Sequence, residues 1–207
     1  MSGIRVLVVE DEPLIAEDIR ETLDNIDFEV SGVAYDSDIA LQELAENTPD
    51  IVLLDVNLGS AMDGIEIADL INKKYQIPFI YLTSYADRST VDRAKHTRPM
   101  GYIVKPFDDR DLFTTLEIAL HNFSESQPKI ELDLELLNSK VLAKITQKEF
   151  EILISIFEGK TNRQMADQHF ISLNTIKTHV KNLYDKLDVH TRTQAIAKLR
   201  EMSSYHA

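Results

Sequence analysis

No cysteine occurs among the 207 residues, which excludes disulfides, thiolate nucleophiles and metal sites built on sulfur. The six histidines show no metal-ligand spacing, so any bound metal is expected to take oxygen ligands. Long apolar runs are also lacking: nothing approaches the roughly 18 uninterrupted apolar residues of a membrane span. Residues 1–11 lead straight into a strand pattern, with no signal-peptide cleavage region. A soluble, cytoplasmic protein without membrane association is expected. Neither a Walker loop nor a Gly-x-Gly-x-x-Gly fingerprint is found, which removes support for nucleotide enzymes.

Basic residues are scarce. Lys and Arg number 22 against 35 Asp and Glu, for a net charge of −13, and that average argues against nucleic acid as a partner. The distribution reverses the argument. Residues 1–123 hold 10 basic against 24 acidic residues, net −14; residues 124–144 hold 3 against 4; residues 145–207 hold 9 against 7, net +2. The acid is concentrated in the first part. A hydrophobic content of 43% over this length supports two modest cores.

Through residue 123, short apolar runs alternate with helical periods. Ile4–Val9, Val30–Ala34, Ile51–Leu54, Phe79–Leu82 and Tyr102–Val104 read as five strands. Between them, Ile15, Ile19, Leu23 and Ile26 follow Pro13 at helical spacing, and Leu112, Leu116, Ala119 and Phe123 follow Asp108, Asp109 and Asp111. Such alternation predicts an α/β fold, a doubly wound five-stranded parallel sheet with helices on both faces. Residues 124–144 read as a linker opening on Ser124-Glu125-Ser126-Gln127-Pro128. Within it, Ile130, Leu132, Leu134 and Leu136 alternate like a strand, while Leu134–Ile145 fits a helix equally well.

From Thr146 onward the period is helical, and residues 145–207 predict a second, smaller all-α domain of four helices. Thr146 and Glu149 form a capping box ahead of an apolar stripe of Phe150, Leu153, Ile154 and Phe157, and Gly159 suits the helix end. Asn162 is expected to cap the second helix, which carries Met165 and Ala166. Ser172 is expected to cap the third, with Ile176, Val180, Leu183 and Leu187 inward. Thr191 and Gln194 precede the fourth. His169-Phe170-Ile171 makes a tight connection, as a helix-turn-helix requires. Asn174, Lys177, Thr178 and Lys181 stand opposite the buried stripe of the third helix, where they suit phosphates and base edges.

Ligands of an open parallel sheet bind beyond the carboxyl ends of its strands. The first strand ends at Glu10 and Asp11, the third at Asp55, the fourth at Thr83 and the fifth at Lys105. Three converging carboxylates repel one another and call for a hard cation such as Mg²⁺. A carboxylate beside Mg²⁺ and an ammonium can attack phosphorus and form an acyl phosphate, which makes Asp55 the expected nucleophile.

These residues resemble the CheY-like receiver family over about residues 3–123. The motifs are Val8-Val9-Glu10-Asp11-Glu12-Pro13, Leu53-Leu54-Asp55, Met62-Asp63-Gly64, Leu82-Thr83-Ser84 and Gly101-Tyr102-Ile103-Val104-Lys105-Pro106-Phe107. The resemblance implies Mg²⁺ held by Asp11 and Asp55, by the Asn57 carbonyl and by Glu10 through water. It also implies a switch pair of Thr83 and Tyr102, and a cis Lys105-Pro106 peptide. The loop Asn57-Leu58-Gly59-Ser60-Ala61 departs from the family in lacking a proline and in being one residue longer. Pro99 also interrupts the usual fourth helix.

The last domain is similar to the LuxR/NarL type of DNA-binding domain, through Glu158-Gly159-Lys160-Thr161-Asn162, Ile171-Ser172, Thr175-Ile176-Lys177-Thr178-His179 and Lys186-Leu187-Asp188-Val189. That resemblance implies DNA contacts by Lys177, Thr178 and Lys181 and dimerisation through Ala195, Ile196 and Leu199. The two resemblances together imply a two-component response regulator, phosphorylated on Asp55 by a sensor histidine kinase. It would bind double-stranded DNA and form a homodimer when phosphorylated. Two other classes stay open at this point: a receiver whose output binds RNA or protein, and an aspartyl-phosphate phosphohydrolase. The latter resembles Asp-x-Asp at its nucleophile, where this chain has Asp55-Val56-Asn57.

Overall fold

The computed structural model describes residues 3–59, 61–84 and 88–203. The chain divides into two compact units, Arg5–Leu120 and another formed chiefly by His121–Ala207. Among the described residues no helix is long and apolar enough to cross a membrane.

In the first unit the strands β1 (Ile4–Val9), β2 (Phe28–Ala34), β3 (Ile51–Asp55), β4 (Phe79–Thr83) and β5 (Gly101–Val104) form one sheet in the order β2-β1-β3-β4-β5. Each pairing resolved by register is parallel, with Val8 beside Leu53, Leu53 beside Ile80 and Leu82 beside Ile103. Both parities of the central strands are buried. Leu7, Val9, Val52, Leu54, Phe79 and Tyr81 join a core that also takes in Ala40, Leu44, Ile67 and Ala68. Val6, Val8, Leu53, Ile80 and Leu82, of opposite parity, are equally inaccessible. A sheet covered on both faces needs apolar residues at every position, which is why its strands read as unbroken runs.

Helices α1 (Pro13–Asn25), α2 (Ser37–Glu46), α3 (Gly64–Leu70) and α4 (Arg88–Ala94) connect the strands, and α5 (Asp109–Ser126) follows β5. Pro13 opens α1 at a position whose N–H has no intrahelical partner. Asp63 and Glu66 close a capping box at the start of α3. A π-helical turn, Ile71–Tyr75, extends α3. Helix α4 is short, passing into a 3₁₀ turn at Lys95–Thr97 and a left-handed Arg98 just before Pro99.

The second unit contains α6 (Leu134–Lys140), α7 (Gln147–Phe157), α8 (Asn162–His169), α9 (Leu173–Leu187) and α10 (Arg192–Ser203). The open choice between strand and helix at residues 134–145 resolves as helix over Leu134–Lys140, with residues 141–145 outside it. Asp133 accepts from the Leu136 N–H as an N-cap, and Leu137 is buried in a core with Ile152, Leu153, Met165, Val180 and Leu199. The segment 124–144 is therefore partly built into the second core. Two further details differ from expectation. Thr161 caps α8, in a capping box with Gln164, and Asn162 is its first helical residue. The buried face of α7 is Ile152, Leu153 and Ile156, with Phe150 and Phe157 packed at its margins.

Candidate functional site

Three strand ends meet at one edge of the sheet. Oxygens of Glu10, Asp11 and Asp55 lie within 4.8 Å of one another, a group able to hold a metal ion. Glu10 and Asp55 are buried, while Asp11 is half-exposed. Lys105, just past β5, donates to Asp55 Oδ2 at 2.5 Å and also to Glu10 Oε2. The second oxygen of Asp55 accepts from the Asn57 N–H at 2.9 Å, and Asp11 Oδ2 accepts from the Gly59 N–H at 3.0 Å. Ser60, within the loop that departs from the family pattern, lies outside the described residues. The Lys105–Pro106 peptide is cis.

One ammonium thus bonds two of the three clustered carboxylates. Burial holds Glu10 above the ordinary carboxylate value; the Lys105 hydrogen bond opposes this and the Asp55 charge adds to it. Burial also works against the Lys105 ammonium, but its hydrogen bonds to Asp55 and Glu10 prevail and hold its pKa above the ordinary value. Two glycines leave room. A Cβ on Gly64 would stand 1.9 Å from the Asp55 carbonyl oxygen, so the Met62-Asp63-Gly64 turn approaches the strand end in a way no side chain permits. A Cβ on Gly59 would stand 3.2 Å from Asp11 Oδ2.

Thr83 is buried at the end of β4, and its Oγ1 has no hydrogen-bond partner among the described residues. Its carbonyl accepts from the Lys105 N–H at 2.8 Å, fixing the chain from which the lysine projects. Tyr102, on the edge strand β5, is 43% exposed with its ring 5.5 Å from that of Tyr81. Tyr81 is fully buried and bonded to Thr97 Oγ1 at 2.8 Å. Sequence reading singled out Tyr102 but passed over Tyr81, which alternation alone marks only as a core residue.

In the second unit, α8 and α9 are joined through Phe170, left-handed at φ 55°, and Ser172, whose side chain caps α9 through the Thr175 N–H. Ile176, Val180, Leu183 and Leu187 face inward as expected, together with Tyr184. Asn174, Thr178 and Lys181 are exposed and Lys177 is half-exposed, so the four share the outer face of α9. Of the three residues named for dimerisation, Ala195 and Leu199 are fully buried in the core of their own unit and Ile196 is half-buried at its margin. Two polar supports were missed. Lys186 bonds both oxygens of the buried Glu149, at 2.8 and 2.7 Å, and Arg192 donates to the Ile156 carbonyl at 2.6 Å.

Comparison with known proteins agrees with both halves. The response regulator receiver domain matches residues 6–117 and the luxR family of bacterial regulatory proteins matches residues 143–199. The transcriptional regulatory protein LiaR of Bacillus subtilis is 32% identical, over 93% of this chain and 94% of that protein. The response regulator protein VraR of Staphylococcus saprophyticus is 31% identical, with the same coverage. The receiver domain of a modulated diguanylate cyclase from Desulfovibrio desulfuricans G20 superposes on 59% of this chain and 98% of its own, with TM-score 0.57 and 34% identity. RcsB of Salmonella enterica, bound to promoter rprA with phosphomimetic BeF₃⁻, shares the fold over 94% of this chain and 98% of its own, with TM-score 0.51 and 21% identity. The chain belongs to the two-component response regulators of the LuxR/NarL type, with a CheY-like receiver followed by a LuxR-type helix-turn-helix domain.

Proposed function

We propose that Asp55 is the phosphoacceptor and that its phosphorylation by a sensor histidine kinase in the cytoplasm controls binding of α9 to double-stranded DNA. The observation that carries this reading is the shared cation. Lys105 is held 2.5 Å from Asp55 Oδ2 at a strand end where three carboxylates converge and the buried Thr83 hydroxyl has no partner among the described residues. An Asp55 oxygen attacks phosphorus and the donor's leaving group departs. Lys105 and Thr83 then have the charge and the free donor to bind the transferred phosphoryl oxygens.

The donor set fits Mg²⁺: it offers only oxygen and carries more negative charge than Lys105 offsets. Asp11 and Asp55 would hold the ion directly, Asn57 through its carbonyl, and Glu10 through water. When bound, the ion neutralises charge on phosphoryl oxygens. Asn57 provides no carboxyl acid to turn the phosphorylated form over, so we read the protein as a switch and not as an enzyme. In this assignment residues 1–123 are the receiver, 124–144 the connection and 145–207 the DNA-binding domain.

Asn174, Lys177, Thr178 and Lys181 are assigned to the duplex, supported by their common outward face on a capped helix. Output would pass through Thr83 and Tyr102. Recruitment of the Thr83 hydroxyl by the phosphoryl group opens space toward which the Tyr102 ring, now half-exposed, turns. The altered β5 surface pairs two receivers, and a homodimer presents two recognition helices to a two-fold operator. Sedimentation and duplex binding with and without beryllium fluoride test this. Both dimer population and affinity should rise in the wild type, and both responses should shrink in Tyr102→Ala. No response in the wild type would leave phosphorylation without an output.

A further inference from the structure

His169 closes α8, one residue before the left-handed Phe170 and three before Ser172, the cap of α9. Both of its ring nitrogens meet α7. Nδ1 lies 3.2 Å from Lys148 Nζ, and Nε2 lies 3.3 Å from Ser155 Oγ. An ammonium has no lone pair, so Nδ1 must accept; a neutral ring then carries its hydrogen on Nε2 and donates it to Ser155. Ser155, itself buried, donates onward to the Glu151 carbonyl at 3.1 Å. The run from Lys148 through His169 and Ser155 to the Glu151 carbonyl points one way throughout. It requires the imidazole to be neutral.

We propose that His169 is a proton-sensing latch in the DNA-binding domain: neutral, it ties α7 to the turn that orients α9, and protonated, it releases that turn and weakens duplex binding. The inference rests on α9 being the DNA-contacting helix. The charged and titratable groups facing the ring are Lys148 and Glu151 of α7, Lys160 between α7 and α8, and His179 of α9. Glu151 alone favours a second positive charge; Lys148, Lys160 and His179 oppose it. Burial is the largest influence and, with Lys148, holds the His169 pKa below the ordinary histidine value. The latched state therefore binds fewer protons than the released state and loses stability as pH falls below about 6.5, the unperturbed value. The sign is diagnostic, because protonating histidines elsewhere adds positive charge and strengthens phosphate binding.

The test uses the full chain and mixed-sequence duplex DNA at constant ionic strength. Nitrogen-15 NMR should show the Nε2–H tautomer at neutral pH and a titration midpoint below about 6.5. Duplex affinity should fall at least about threefold between pH 7.5 and 5.5, whereas His169→Leu, which cannot titrate, should give a flat or rising profile. Ser155→Ala, which removes the Nε2 partner, should move the His169 midpoint upward. An Nδ1–H tautomer, a midpoint at or above the ordinary value, or parallel pH profiles for wild type and His169→Leu would each overturn the latch. Absence of duplex binding at every pH would instead overturn the assignment of α9. The tautomer and the pH dependence of thermal unfolding in the two proteins would then still decide the latch.

Discussion

Lys105 Nζ stands 2.5 Å from Asp55 Oδ2 while also donating to Glu10, so one buried ammonium serves two buried carboxylates from β1 and β3. Removing it would leave both acids without their cation. Lys105→Met is expected to destabilise the receiver by about 3 kcal/mol, the usual cost of breaking a buried ion pair from one side. Mg²⁺ should restore part of the loss, because it offsets the same charges. Thermal unfolding with and without Mg²⁺ checks this; an unchanged midpoint in the metal-free variant would mean that the pair contributes nothing.

Glu149 belongs to the second domain and is held below the ordinary carboxylate range. Burial pushes it up, but hydrogen bonds from Lys186 and from both the backbone and the side chain of Thr146 prevail. A depressed carboxyl contributes stability that is complete above its unfolded pKa, about 4.3, and is lost as pH falls through the folded value. The domain should therefore lose stability faster than Glu149→Gln as pH drops below about 4.3. Urea unfolding followed from pH 6 down to pH 3 reads this directly, and identical slopes for the two proteins would remove Glu149 from the account.

The strand ends and the polar groups clustered at them were legible in the sequence because a doubly covered sheet spells its strands as apolar runs, and the first polar residue after each run but that of β2 is one of those groups. Helix faces were less legible. The pattern Thr161-x-x-Gln164 marks a capping box, yet Asn162 offers a cap one residue later, and only the observed Gln164 contacts decide between them. Ala195, Leu199 and Met202 recur at the spacing of one inward stripe and are buried in the core of their own unit. Alternating leucines hid α6, because Leu134, Leu137 and Val141 satisfy a helical period as well as Leu132, Leu134 and Leu136 satisfy a strand. The unpaired Thr83 hydroxyl and the sharing of Lys105 depend on residues brought together across about fifty or more positions, and no local pattern announces them.

Lys181 is exposed and Lys177 half-exposed on the outer face of α9. If each meets a phosphate, Lys177→Ala and Lys181→Ala should each lower the salt dependence of duplex binding by roughly one unit, with no change in the unfolding midpoint. Base readout by Lys177 would show differently, as a loss of discrimination at one position of about 1–3 kcal/mol. Fluorescence anisotropy across a salt series distinguishes the two, and an unaltered slope and affinity in the double variant would return both lysines to solvent.

Phosphorylation itself is the claim on which the rest depends, and it is tested most directly by mass spectrometry after incubation with acetyl phosphate and Mg²⁺. The wild type should gain a single acid-stable, base-labile phosphoryl group on Asp55, and Asp55→Asn, with an unchanged circular dichroism spectrum, should gain none. Equal labelling of the two proteins would contradict the assignment of Asp55.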